Sequence, residues 1–161
     1  MDSHVISTLV ENKPGVLQKV AGLFTRRGYN INSITVGESE VENLSRMVIV
    51  VNGDEHVLEQ VTKQLNKIVD VVKVKDLERQ TLVKRELCLV KVKINNDTSR
   101  SEIVQYANIY KCEIIDVCEE NITLEITGNP DKIDSLLNLL RHHGIIKIAR
   151  TGPTALTRGK E

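Results

Sequence analysis

The residues best placed to bind a small molecule lie in the stretch LVENKPGVLQKVAGLF, Leu9 to Phe24. An apolar run ends in Glu11-Asn12-Lys13, Pro14-Gly15 follow, and apolar residues then recur at helical spacing. A helix opening at Pro14 leaves the N–H groups of its first turn unpaired and carries partial positive charge there. Such an end can hold a carboxylate. Pro14 has no N–H to give, but its ring fixes the turn. Gly15, Val16 and Leu17 keep theirs. Gly15 has no Cβ to keep a ligand away from the backbone. Asn12 can accept a hydrogen bond from an ammonium or donate one to a carboxylate. Together these groups suit a free amino acid. The same residues also make an ordinary Asn-x-Pro-Gly helix start, and spacing alone favours that plainer reading.

Other chemistry is hard to assemble. The chain has no nucleophile elbow, P-loop or GxGxxG, and no local frame for a Ser-His-Asp arrangement. Acidic residues such as Glu102, Glu119 and Glu125 fall at positions expected to face solvent. The three cysteines, Cys88, Cys112 and Cys118, form no CxxC pair. On one strand Cys112 and Cys118 would be about 20 Å apart at ~3.3 Å per residue, too far for a disulfide. Buried free thiols in a reducing compartment are expected. His142 and His143 are adjacent. On a helix they point about 100° apart, and neither has a ligand partner at i+4, so no zinc site is expected.

The elements that must position the helix start read clearly. Val5–Val10 is a strand, and Pro14–Arg27 is a helix with Val16, Leu17, Val20, Leu23 and Phe24 on one face. Gly28 ends it. Ile31–Gly37 and Leu44–Val51 are strands, and Asn52-Gly53-Asp54 is a turn and cap. A second helix carries Val57, Leu58, Val61, Leu65 and Ile68, and Val71–Leu77 is a fourth strand. The order then repeats. Glu86–Ile94 alternates, Thr98-Ser99 can cap a helix bearing Ile103, Tyr106, Ala107 and Tyr110, and Cys112–Val117 and Ile122–Thr127 are strands. Asn129-Pro130 is an N-cap with Pro at N1. Its helix ends at Gly144, and Ile145–Ala149 is the last strand.

The expected architecture is therefore α+β, two ferredoxin-like βαββαβ domains in tandem, over residues 1–78 and 79–161, joined by the charged segment Glu78–Glu86. A chain of 161 residues accommodates two such small domains. RNA-recognition modules share the order but stack bases on aromatic strand residues. Aromatics are 2% here, and the central strands offer Val, Ile and Thr. Lys+Arg and Asp+Glu are both 22, so no basic field draws nucleic acid or an anionic membrane. The longest apolar runs are too short to span a bilayer. The first residues, MDSHVISTLV, have no basic n-region, so a cytoplasmic protein is expected.

A ferredoxin-like sheet carries helices on one face only. Met47–Val51 is apolar on both faces, and Val5-Ile6 and Leu9-Val10 nearly so. The first sheet is therefore expected to bury its second face or to pair an edge with another subunit. Cover by the second domain is the alternative. Self-association is favoured, because small domains need extra burial.

The stretch ENKPGVLQKVAGLFTRRGYNINSITVG resembles the first half of an ACT domain, a regulatory module that binds small effectors, often amino acids. Together with RGYNI, LSRM, GDEHVLEQVTKQLNKIVDVVKV, RELCLVKV, IIDV and RTGPTALTRG, taken in order over nearly the whole chain, it resembles the small, regulatory subunit family of acetolactate synthase (acetohydroxyacid synthase). The resemblance implies a subunit without a catalytic site or cofactor of its own. Its partner would be a large catalytic subunit that uses thiamine diphosphate, Mg²⁺ and FAD to make the first shared intermediate of branched-chain amino acid synthesis. The small subunit would raise that enzyme's activity and confer feedback inhibition, usually by valine. Its ACT domains would pair as a homodimer with the effector at their interface. Asn12 and Gly15, with the N–H groups of Val16 and Leu17, would form the helix-start side of the site. Asn30 would approach from the partner subunit, and Gly37 would leave room beside the ligand. Val10, Thr35 and Gln60 would lie near it. A stand-alone ACT-type amino-acid sensor acting on another partner is the alternative.

Overall fold

A computed structural model describes residues 2–77 and 81–159. The expected boundary between residues 78 and 79 lies outside them. The described chain forms two compact units, one reaching to Val83 and including the residues from Pro153 on, the other Lys84–Gly152.

The first unit runs β1 (Asp2–Glu11), α1 (Val16–Arg27), β2 (Ile31–Glu38), β3 (Leu44–Gly53), α2 (Glu55–Leu65), β4 (Val71–Asp76). Its sheet order is β2-β3-β1-β4, antiparallel throughout. The alternation in β1 sends Ile6 and Val10 into one core with Val16, Val20, Leu23 and Phe24 of α1 and Leu58, Val61 and Leu65 of α2. Each such side chain is worth about 1.5–3 kcal/mol when fully buried. Gly28 ends α1 in the left-handed region, φ 69°, its N–H donating to the carbonyls of Phe24 and Thr25. Asp54 caps α2, accepting from the Val57 N–H at 2.9 Å.

The second unit repeats the order with β5 (Leu82–Lys93), α3 (Asp97–Tyr110), β6 (Glu113–Val117), β7 (Asn121–Gly128), α4 (Pro130–Leu140), a 3₁₀ turn (Arg141–His143) and β8 (Ile145–Arg150). The sheet order is β6-β7-β5-β8. Cys88, Val90 and Val92 of β5 and Ile122, Leu124 and Ile126 of β7 pack against Ile103 and Ala107 of α3 and Ile133, Leu136, Leu137 and Leu140 of α4. Buried Glu86 pairs with Arg150 at 2.5 and 3.0 Å, and Arg150 also holds Asp134 at 2.6 Å, linking β5, β8 and α4.

Four expectations change. First, β8 is not the last strand. Thr154–Thr157 forms β9, which pairs with β5, and the Arg158 N–H donates to the Thr81 carbonyl at 2.8 Å. Second, this tail helps cover the outer face of the first sheet. Val5, Val48 and Val50 are buried with Leu77 and Ala155, and Leu82 packs alongside. The doubly apolar strands thus meet the chain's own tail over that part of the face. Third, α3 is capped by Asn96, not by Thr98-Ser99. Asn96 Oδ1 accepts from the Ser99 N–H at 2.8 Å, and Ser99 Oγ accepts from the Asn96 N–H at 3.0 Å. This reciprocal pair satisfies two donors at once. Fourth, all three cysteines are free, but only Cys88 is buried; Cys118 is exposed because it lies in the turn after β6.

Candidate functional site

The loop from β1 to α1 is held by main-chain bonds from two directions. The Glu11 N–H donates to the Asp70 carbonyl at 2.9 Å, and the Asn12 N–H to the Asn43 carbonyl at 2.8 Å. Asn43 itself has φ 62°. Asp70 is buried, and its carboxylate takes Lys19 at 2.5 Å and Lys13 at 3.5 Å; Lys13 also pairs with Glu11. These cations, Lys19 foremost, hold the Asp70 carboxyl below its ordinary value of 3.8. Nothing in the local sequence marks Asp70, Lys19 or Asn43. Asp70 and Lys19 are 51 residues apart, and neither the strand start around Asp70 nor the helix around Lys19 shows any sign of the pair.

The helix starts two residues later than expected. Gly15 is the N-cap of α1, at φ 87° and ψ −12°, with no side-chain cap and no acidic residue in the first turn. A residue with a Cβ is strained in this left-handed conformation. The Val16 N–H is turned toward the Lys13 carbonyl at 3.4 Å and is not the free donor expected. The N–H groups of Gly15, Leu17 and Gln18 have no partner among the described residues. Asn12 and Gly15 are exposed, and a Cβ at Gly15 would meet nothing within 4 Å. The result is an open, uncompensated helix end, suited to an anion.

Strand register decides which other residues lie near it. Gly37 pairs with Arg46, which pairs with Leu9. Glu38 pairs with Ser45, which pairs with Val10. Gly37 is therefore at the end of the sheet where the helix-start loop begins, and a Cβ there would meet nothing within 4 Å. Val10 is at this end too, but its side chain is in the core. Val16 is likewise buried, whereas Leu17 is 49% exposed. Thr35 is half-buried opposite Val48, and Gln60 is half-buried midway along α2. Asn30 is exposed and precedes Ile31, which pairs with Val51 at the opposite end of the sheet. Ile31 and Gly37 are about 20 Å apart at ~3.3 Å per residue. Within one copy of the chain, Asn30 does not join the helix start.

The two edges of this sheet differ. Edge strand β4, VVKVKD, carries Lys73 and Lys75, the charges that discourage strand addition. Edge strand β2, INSITVGE, has no lysine and no proline, and its last three residues are exposed.

Residues 6–73 match the family described as AHAS small subunit-like ACT domain, and residues 85–159 match the small subunit of acetolactate synthase. The chain is 60% identical over 158 residues to the "Probable acetolactate synthase small subunit" of Methanothermobacter thermautotrophicus, covering 98% of this chain and 94% of that one. The chain belongs to the acetolactate synthase small-subunit family. The acetolactate synthase small subunit of Mycolicibacterium smegmatis is 45% identical, with 98% and 92% covered. The crystal structure of the Thermotoga maritima small subunit is 47% identical, covers both chains fully and superposes with a TM-score of 0.88. The first βαββαβ unit is thus an ACT domain, and the small-subunit fold is two ferredoxin-like domains in tandem. Among the described residues, no helix is long and apolar enough to cross a membrane.

Proposed function

We propose that this chain is the regulatory subunit of acetolactate synthase in the cytoplasm. It contributes no catalytic residue or cofactor. It raises the activity of a separate catalytic subunit, a transferase that carries thiamine diphosphate, Mg²⁺ and FAD. It also makes that enzyme sensitive to a branched-chain amino acid, valine. The observation that carries this is the open start of α1 at Gly15, with unpartnered N–H groups and no acidic residue to occupy them.

The effector's carboxylate docks on the N–H groups of Gly15 and Leu17, and Asn12 hydrogen-bonds its polar end. The apolar side chain lies toward the space left at Gly37. The second half of the site comes from another copy of the chain. Antiparallel pairing of β2 with its own equivalent brings Asn30 of one copy beside Gly37 of the other, because the strand ends are reversed. The edge of β2, without lysine or proline, supports this pairing, and a two-fold interface repeats each contact twice. Val10 and Thr35 support the site from behind, and Gln60 is a more distant neighbour. Valine then favours one arrangement of the paired ACT domains, by no more than its differential affinity for the two arrangements.

Calorimetric titration of valine into the purified chain and into Asn30→Ala is the binding test. Binding by the parent chain and loss of about 10-fold or more in the variant is expected, the scale of a removed hydrogen bond to a charged group. No heat from the parent chain at saturating valine would refute the proposed site.

A further inference from the structure

The second unit contains a cluster of donors that the effector site does not use. His142 and His143 form the 3₁₀ turn after α4, and Glu102 reaches them from α3. One donor atom from each lies within 4.8 Å of the other two. Local spacing hides this cluster, because the third donor is forty residues upstream and not at i+4. Glu102, expected simply to face solvent, is half-buried against the turn.

His143 is the fixed member. Its side chain is 3% exposed, its ring lies 6.1 Å from Tyr106, and its carbonyl accepts from Asn95 Nδ2 at 3.0 Å. Its Nε2 is buried and has no hydrogen-bond partner among the described residues. Glu102 Oε2 is 3.4 Å from that nitrogen, but off the line a hydrogen bond requires. A buried nitrogen left so costs free energy, and a carboxylate and a second imidazole lie within 4.8 Å of it.

The spacing matches a metal. Donors about 2.0–2.1 Å from a tetrahedral Zn²⁺ are about 3.3–3.5 Å from one another. The His143–Glu102 distance is 3.4 Å, and His142 Nε2 is 3.9 Å from the same oxygen. The side chains of His142 and Glu102 are 57% and 45% exposed, so rotating them closes the remaining gap without moving the fold. We propose that Glu102, His142 and His143 bind one zinc-type divalent transition-metal ion, which ties α3 to the turn before β8. Two imidazoles and a carboxylate suit Zn²⁺. The fourth position, on the exposed side of His142, takes water. The role is structural, a clamp within the second unit.

The test is calorimetry of ZnCl₂ into the full chain without any catalytic subunit, alongside thermal unfolding with and without zinc. One ion per chain and a raised Tm are expected. His142→Ala and Glu102→Gln, both at exposed or half-exposed positions, should each weaken binding by at least ~10-fold, at or beyond the cost of losing even an outer-shell partner. They should also abolish the Tm rise. Cys118→Ser, a control for the exposed thiol, should bind as the parent does. Absence of binding in excess zinc, unchanged affinity in both site variants, or loss of binding in Cys118→Ser would each overturn the proposal.

Discussion

Gly15 and Gly37 separate backbone cost from ligand access. Gly15 is left-handed at φ 87° with open space around it. Gly15→Ala therefore meets no neighbour, but it pays for the conformation. A loss of about 1–2 kcal/mol is expected, seen as a lower urea midpoint, together with weaker valine binding. Gly37 has no left-handed φ, and a Cβ there also meets open space. Gly37→Ala should unfold within about 0.5 kcal/mol of the parent while weakening valine, since it fills only the ligand's space. Asp70 tests the loop's support. Its carboxyl is held below 3.8, by Lys19 first and Lys13 next. A carboxylate depressed in the folded state stabilises above its unfolded value, and that contribution is lost as pH falls through the folded one. Asp70→Asn should thus lower Tm near neutral pH, and the gap from the parent should shrink as the pH is taken down to about 3.

Among the elements, β9 has the most to say about stability. Ala155 is buried with Val5, Val48 and Val50, whereas its neighbour Leu156 is 58% exposed. Ala155→Asp should cost roughly 2–3 kcal/mol, the scale of burying an unpaired polar group. Leu156→Asp should stay within about 0.5 kcal/mol. Chemical denaturation of both distinguishes a covering strand from a loose tail. The same strand shows where sequence reading stops. The longer strands and the helices are legible from their local periods, and α2 and α4 also from their local caps, Asp54 and Asn129-Pro130. β9 has four residues, TALT, too few for a period, and it exists only by pairing with β5. β5 likewise starts at Leu82, earlier than its clean alternation from Glu86, because Leu82 packs on the first sheet. The start of α1 differs from the expected one for another reason. Pro14 is compatible with a first helical position, and only the left-handed turn at Gly15 moves the helix to Val16. The helix-start half of the candidate site was therefore visible in the sequence as residue types. The support from Asp70, Lys19 and Asn43 was not, since it joins residues far apart in the chain.

At the scale of the whole molecule, the proposed site is complete only when two copies pair through β2. Asn30 and Gly37 stand at opposite ends of that strand, so a single copy holds only half of the proposed site. Val36, 48% exposed on this edge, gives a test: Val36→Lys adds the charge that β4 already carries. It should shift light-scattering mass from dimer toward monomer and lose valine binding with it, while thermal unfolding of the fold itself is little changed. In the proposed function, valine acts on a separate enzyme through this chain. The direct measurement is the rate of acetolactate formation by the catalytic subunit alone, with this chain, and with this chain plus valine. The chain should raise the rate, valine should lower it again, and Asn30→Ala should keep the activation while losing the inhibition. A rate unchanged by the chain, or inhibited equally by valine with Asn30→Ala in place, would refute the proposed regulatory role.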